Sequence, residues 1–153
     1  MKEKEFYSQK GTYNRVPLSK KIKAEKLIPI DIFDKFKSKG SYFLESAEVD
    51  MKWGRYSIIG LPSESSIKVK NSEIFLNLNG DEEKISSSDP LKFIENYLEE
   101  NFYPDTGDLP IFSGGLVGFF GYESIRLIET KLQNTSKNEA HEIEDINLLI
   151  SDK

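Results

Sequence analysis

A carboxylate and a hydroxyl stand side by side in the apolar run Tyr42-Phe43-Leu44-Glu45-Ser46-Ala47, and eight residues beyond it Arg55 opens a second such run, Arg55-Tyr56-Ser57-Ile58-Ile59-Gly60. Polar groups in strands of this kind must satisfy one another or meet a ligand, because burying one unpaired costs about 1–3 kcal/mol. Two chemistries follow. Glu45 and Arg55 can form a salt bridge between neighbouring strands. Alternatively, the polar groups can hold a free amino acid, which needs an acceptor for its ammonium, donors for its carboxylate and an apolar slot for its side chain. Glu45 is then the acceptor, with Arg55 and the Ser46 hydroxyl as donors. In a regular strand Leu44 and Ser46 share a face and Glu45 points the other way. All three reach one pocket only through a bulge, backbone groups or a neighbouring loop.

Nothing else in the chain forms a convincing nucleophile–base pair. Five of the ten glycines lie between 107 and 121, but no Gly-x₄-Gly-Lys-[Ser/Thr] phosphate loop is present, and spacing at intervals of three is not the Gly-x-Gly-x-x-Gly dinucleotide pattern. The cluster reads as structural. His141 is the only histidine. Without cysteines it cannot build a zinc site, and it sits in a polar loop, a poor position for a base. The paired acids Glu82-Glu83 and Glu99-Glu100 read as solvated faces.

The elements around Glu45 come from length and pattern. With 153 residues, 37% of them hydrophobic, and 10 Phe, 7 Tyr and one Trp, the chain is long and apolar enough for one domain with a real core. The absence of cysteine excludes a disulfide framework. Met1-Lys2-Glu3-Lys4-Glu5 lacks a signal-peptide core, and the apolar stretch around Leu116-Val117-Gly118-Phe119-Phe120 is too short to span a bilayer. A cytoplasmic protein off the membrane is expected. Residues 1–26 hold eight Lys/Arg against three Glu, a net of +5 within a chain of −5. The lysines alternate with glutamates and no aromatic platform repeats beside them, so this is a solvated segment and not a nucleic-acid arm.

Residues 14–18 are expected to be extended, since Val16 precedes proline. A short helix is expected over 29–36, capped by Asp31 and stopped by Gly40. Strands follow at 41–47 and 55–61. Alternation at 66–70 and 74–78, the Asn79-Gly80 turn and a polar strand to Ile85 predict an antiparallel meander. Asp89-Pro90 opens a second helix with Leu91, Ile94, Tyr97 and Leu98 on one face, placed to cover the sheet. Residues 103–110 read as a loop, 115–121 as a buried strand, 122–132 as a helix and 133–142 as a polar loop. The last run, 146–150, is a strand that would leave an open sheet edge. The expected class is α+β, antiparallel β-sheets packed with helices.

Four pieces of the chain resemble, in order, the N-terminal region of anthranilate synthase component I, the large subunit. They are Asn14-Arg15-Val16-Pro17-Leu18, Phe43-Leu44-Glu45-Ser46, Trp53-Gly54-Arg55-Tyr56-Ser57-Ile58-Ile59-Gly60 and Phe112-Ser113-Gly114-Gly115-Leu116-Val117-Gly118-Phe119-Phe120-Gly121-Tyr122. Phe43, Ile58, Phe119 and Glu123 depart from the usual residues, and none of them removes a charged or hydrogen-bonding group from the pocket. The resemblance implies a flexible segment at 1–13 and an N-terminal domain at 14–153, part of a layered α/β/β/α synthase fold whose C-terminal catalytic domain is absent. It implies an enzyme that makes anthranilate and pyruvate from chorismate and ammonia, with Mg²⁺ and a glutamine amidotransferase subunit, component II. Its feedback site for L-tryptophan maps onto Leu44, Glu45 and Ser46; Arg55 is added on its chemistry. No catalytic or metal-binding residue is carried over. Two alternatives stand beside it: the sister component I of para-aminobenzoate synthase, and a free-standing amino-acid-binding module.

Overall fold

A computed structural model of the chain describes residue 7 and residues 11–46, 56–103, 112–132 and 143–152. Its elements are α1 (Pro29–Phe36), β1 (Tyr42–Glu45), β2 (Ser57–Gly60), β3 (Ser66–Lys70), β4 (Glu73–Leu78), β5 (Asp81–Ile85), α2 (Pro90–Asn101), β6 (Gly115–Phe120), 3₁₀ helices at Tyr122–Leu127 and Thr130–Leu132, and β7 (Ile146–Ser151). The class is α+β with antiparallel sheets, as the patterning predicts.

Five strands form one sheet in the order β5-β4-β3-β7-β6, every neighbour antiparallel. The β4–β5 turn follows its local chemistry: Asn79 and Gly80 have φ of 55° and 94°, the positive values a type I′ hairpin requires. The Asn77 side chain accepts from the Gly80 amide at 2.9 Å and ties the turn down. The register places Ile67, Val69, Ile74, Leu76, Ile146, Leu148 and Ile150 on one face, each buried. Burial of each is worth about 1.5–3 kcal/mol. Ile94 and Tyr97 of α2 complete that core, so the predicted cover of the sheet is present. Asp89 caps α2 through the Lys92 amide at 2.9 Å, with Pro90 in the first turn.

Several expectations are corrected. The last strand is not an open edge: β7 lies between β3 and β6. Its buried row Ile146, Leu148 and Ile150, with backbone groups paired on both sides, is more favourably placed inside the sheet than at its border. The edges are β5 and β6, and β6, expected to be buried, has its last three residues exposed. Asp31 does not cap α1. The cap position is Ile28, which offers no side-chain bond, and Asp31 lies in the first turn, its amide donating to the Ile28 carbonyl at 3.1 Å. The helix expected over 122–132 is two 3₁₀ segments.

β1 and β2 form a separate two-stranded antiparallel ribbon. It is shorter than the predicted runs, with no fully buried residue in β1. Phe43 stacks on Phe33 of α1 at 5.5 Å between ring centres. The opposite side of the ribbon turns to Phe112 and the end of β7, through Tyr42.

Candidate functional site

The ribbon separates the predicted residues. The register Tyr42↔Gly60, Leu44↔Ile58 and Glu45↔Ser57 puts Tyr42 and Leu44 on one face and Phe43 and Glu45 on the other. Leu44 is 46% exposed. Glu45 is exposed and accepts from the Ser57 hydroxyl across the ribbon at 3.1 Å. Ser46 follows directly after β1 and is exposed. Arg55 lies outside the described residues, and so do His141 and the loop at 104–110. Leu44 and Glu45 therefore alternate across the outer end of the ribbon, and Ser46 follows beyond the end of the strand.

The motif segments converge elsewhere. A cavity of about 410 Å³ opens on the Tyr42 side of the ribbon, where Val16 and Pro17, Ile58, and Phe112 to Gly114 meet. It is contiguous through Pro17 and Gly114 with a cleft of about 730 Å³ that reaches Arg15 and Phe102. Both volumes fall in the range of small-molecule sites. Leu44, Glu45 and Ser46 do not line either one.

Two residues that the sequence did not single out hold this region together. Tyr42 and Ser151 share a hydroxyl–hydroxyl hydrogen bond of 2.6 Å, joining the ribbon to the end of β7, an interior strand of the sheet. Burial raises the Tyr42 pKa above its ordinary value, with the Ser151 hydrogen bond acting in the opposite direction. A phenol whose folded pKa exceeds its unfolded one contributes stability that is present below about pH 10 and lost as pH rises through the folded value. Tyr42→Phe is accordingly expected to flatten the alkaline limb of the stability–pH profile, measured by urea denaturation of both proteins from about pH 8 to about pH 11, a range that brackets the ordinary tyrosine value. Identical limbs would show that Tyr42 does not sense the fold.

Arg15 is the second. Its amide donates to the Asn101 carbonyl at 2.8 Å, and its own carbonyl accepts from the Tyr103 amide at 2.9 Å, so the N-terminal segment lies strand-like along the exit of α2. That amide also satisfies one of the carbonyls left open at a helix end. The guanidinium donates to Asp152 at 2.7 Å and to the Tyr97 hydroxyl at 3.1 Å, and its centre lies 5.3 Å from the Phe102 ring. A half-buried cation with a carboxylate, a hydroxyl and an aromatic face is a clamp, and Lys cannot reproduce its fork. Arg15→Ala is expected to lower stability by about 1–3 kcal/mol, and Arg15→Lys to restore less than half of that loss. Denaturant midpoints measure both. The clue available in advance was modest: a single arginine directly ahead of Val-Pro in an otherwise lysine-rich segment.

Chemically, the described side chains offer binding. The Tyr42 and Ser151 hydroxyls edge the smaller cavity and the paired Arg15 edges the larger cleft, each lined by apolar and polar side chains together. Among the described residues no group of three or more His, Asp or Glu side chains is placed to hold a metal ion. No described helix is long and apolar enough to cross a membrane.

No protein-family model matches the chain. Individual proteins do. One from Pseudomonas aeruginosa named anthranilate synthase component 1 is 39% identical over 142 residues, covering 92% of this chain and 29% of that protein. A protein of the same name from Neisseria meningitidis is 36% identical over 143 residues, and one from Acinetobacter calcoaceticus is 33% identical over 144, each across 91% of this chain. The chain spans about 29% of the length of these curated relatives.

Proposed function

This chain belongs with anthranilate synthase component 1, of which it matches an N-terminal region, and from that premise we propose that it is the regulatory front of a chorismate-converting enzyme. The complete enzyme converts chorismate and ammonia into anthranilate and pyruvate for tryptophan biosynthesis in the cytoplasm. The ammonia comes from glutamine on a component II amidotransferase partner. This segment contributes Leu44, Glu45, Ser46 and Arg55 to an L-tryptophan feedback site. The observation that carries the reading is the 39% identity across 92% of the chain. Four short motifs in register support it, and the relatives named above carry the anthranilate name and not that of the para-aminobenzoate enzyme.

The geometry of the ribbon supports the feedback role. Leu44, Glu45 and Ser46 stand at an outer edge with Leu44 half-exposed, as one wall of a two-part site is before its other wall closes on it. A ligand held between two walls loses most of its desolvated contacts when one is missing. The 153-residue chain is therefore expected to bind tryptophan weakly. In the complete enzyme, tryptophan held at the seam favours a state with poor chorismate affinity, and the coupling is reciprocal. Among the described residues the acids form no site for the Mg²⁺ that the resemblance implies, and in this reading its ligands lie in the remainder of the enzyme.

The test is made on the complete polypeptide purified from its source cell. Anthranilate formation from chorismate and ammonia, inhibited by added L-tryptophan, is the expected result. Formation of 4-aminobenzoate instead, or a native mass of 17.5 kDa, would overturn the assignment.

A further inference from the structure

The two edges of the five-stranded sheet are built differently. β5 carries Asp81-Glu82-Glu83-Lys84, and ion pairs from Lys84 to Glu73 at 2.5 Å and from Lys68 to Glu82 at 3.8 Å lie across it. Charges at that density keep another strand from adding to an edge. β6, Gly115-Leu116-Val117-Gly118-Phe119-Phe120, has neither a charged residue nor a proline. Among the described residues it is hydrogen-bonded to β7 alone. In an antiparallel ladder that leaves the backbone groups of alternate β6 residues directed away from the sheet. Phe119 is 43% and Phe120 56% exposed, and the chain just beyond presents Tyr122 at 91%. An uncharged, apolar and partly exposed edge is a template for a further strand.

We propose that β6 accepts a strand from the part of the enzyme outside this chain, extending the sheet edge to edge. The inference rests on the functional reading above. The occupant follows from length: this chain spans 29% of its relatives, so the larger part of such a protein lies elsewhere. A segment tethered to the same polypeptide has an effective concentration of about millimolar, which a second copy of the chain does not match. The register specifies the chemistry of the incoming strand. Leu116, Gly118 and Phe120 continue the row of Ile150, Leu148 and Ile146, while Val117 and Phe119 make the other face apolar too. A strand with apolar residues on both faces fits β6, as in sheets covered on both sides.

Hydrogen exchange tests this without any substitution. Amides of alternate β6 residues are expected to exchange rapidly in the isolated chain and at least about tenfold more slowly in the complete polypeptide, since exchange reports local opening. The double substitution Val117→Lys with Phe119→Lys is expected to abolish that difference in the complete polypeptide, whereas Glu82→Gln on the opposite edge leaves it intact. Equal exchange in the two proteins overturns the docking strand. Protection already present in the isolated chain, with a doubled sedimentation mass, gives the edge to a second copy and overturns it too. Either result with anthranilate formation intact leaves the functional reading standing; a complete polypeptide that makes no anthranilate removes that reading whatever β6 does.

Discussion

Gly118→Ala is expected to destabilise the chain by about 3 kcal/mol, at the upper end of what overpacking costs. Gly118 pairs with Leu148 across the β6–β7 ladder. A Cβ at this position would lie 1.9 Å from the Asn147 carbonyl oxygen and 2.9 Å from the Leu148 Cα. The obstacle is backbone and cannot turn aside as a side chain does. Nor can β7 retreat, because Asn147 and Leu148 pair on their other side with Lys68 and Ile67 of β3. The methyl group must therefore push β6 off the sheet or break the core row behind it. Against a typical total of about 5–15 kcal/mol this is a large fraction of the stability. Urea denaturation of the variant beside the parent measures it, with Val117→Ala as a neighbouring control. A loss under about 1 kcal/mol would mean that β6 and β7 relax apart easily, and the close approach would then have no structural weight.

Ser46→Phe in the complete enzyme is expected to raise the tryptophan concentration needed for inhibition by about 100-fold, equivalent to about 2.7 kcal/mol of inhibitor binding. Two separate features support this. The resemblance places Ser46 in the feedback site, where a bulky ring removes a hydroxyl donor and fills the space of the ligand. The change is expected to leave the buried core untouched, because Ser46 lies just after β1 at an exposed position. The melting temperature of the isolated chain should therefore not move, and anthranilate formation without tryptophan should continue. Inhibition curves at fixed chorismate give the answer. An unchanged curve removes Ser46 from the site; a lost curve together with a lowered melting temperature would assign the effect to misfolding.

The candidate site was legible to different depths at different positions. Glu45 and Ser46 drew attention because polar groups in an apolar run need an explanation, and the ribbon does place them together at its outer end. The opposite facing of Leu44 and Glu45 was also predictable, since strand alternation is a local rule. Arg55, the proposed donor, falls outside the described residues. Arg15 stayed hidden because nothing near it in the chain shows its partners: Tyr97 is 82 residues away and Asp152 is 137. Its role exists only once α2 and β7 are packed beside the N-terminal segment.

The same division runs through the fold. Alternation at 66–78, the Asn79-Gly80 hairpin and the Asp89-Pro90 helix start depend on contacts within a few residues, and each appears where its residues predict it. The sequence by itself determined these elements, the α+β class and the family to which the motifs point. Beyond the β3-β4-β5 meander, the order of the strands was decided by the tertiary structure. The run at 146–150 is equally compatible, residue by residue, with an edge or a centre; it sits between β3 and β6 because the sheet has one covered face and the Ile146, Leu148 and Ile150 row gains most where neighbours flank it on both sides. Which apolar row takes the centre is a comparison among all strands at once, and no local pattern contains it.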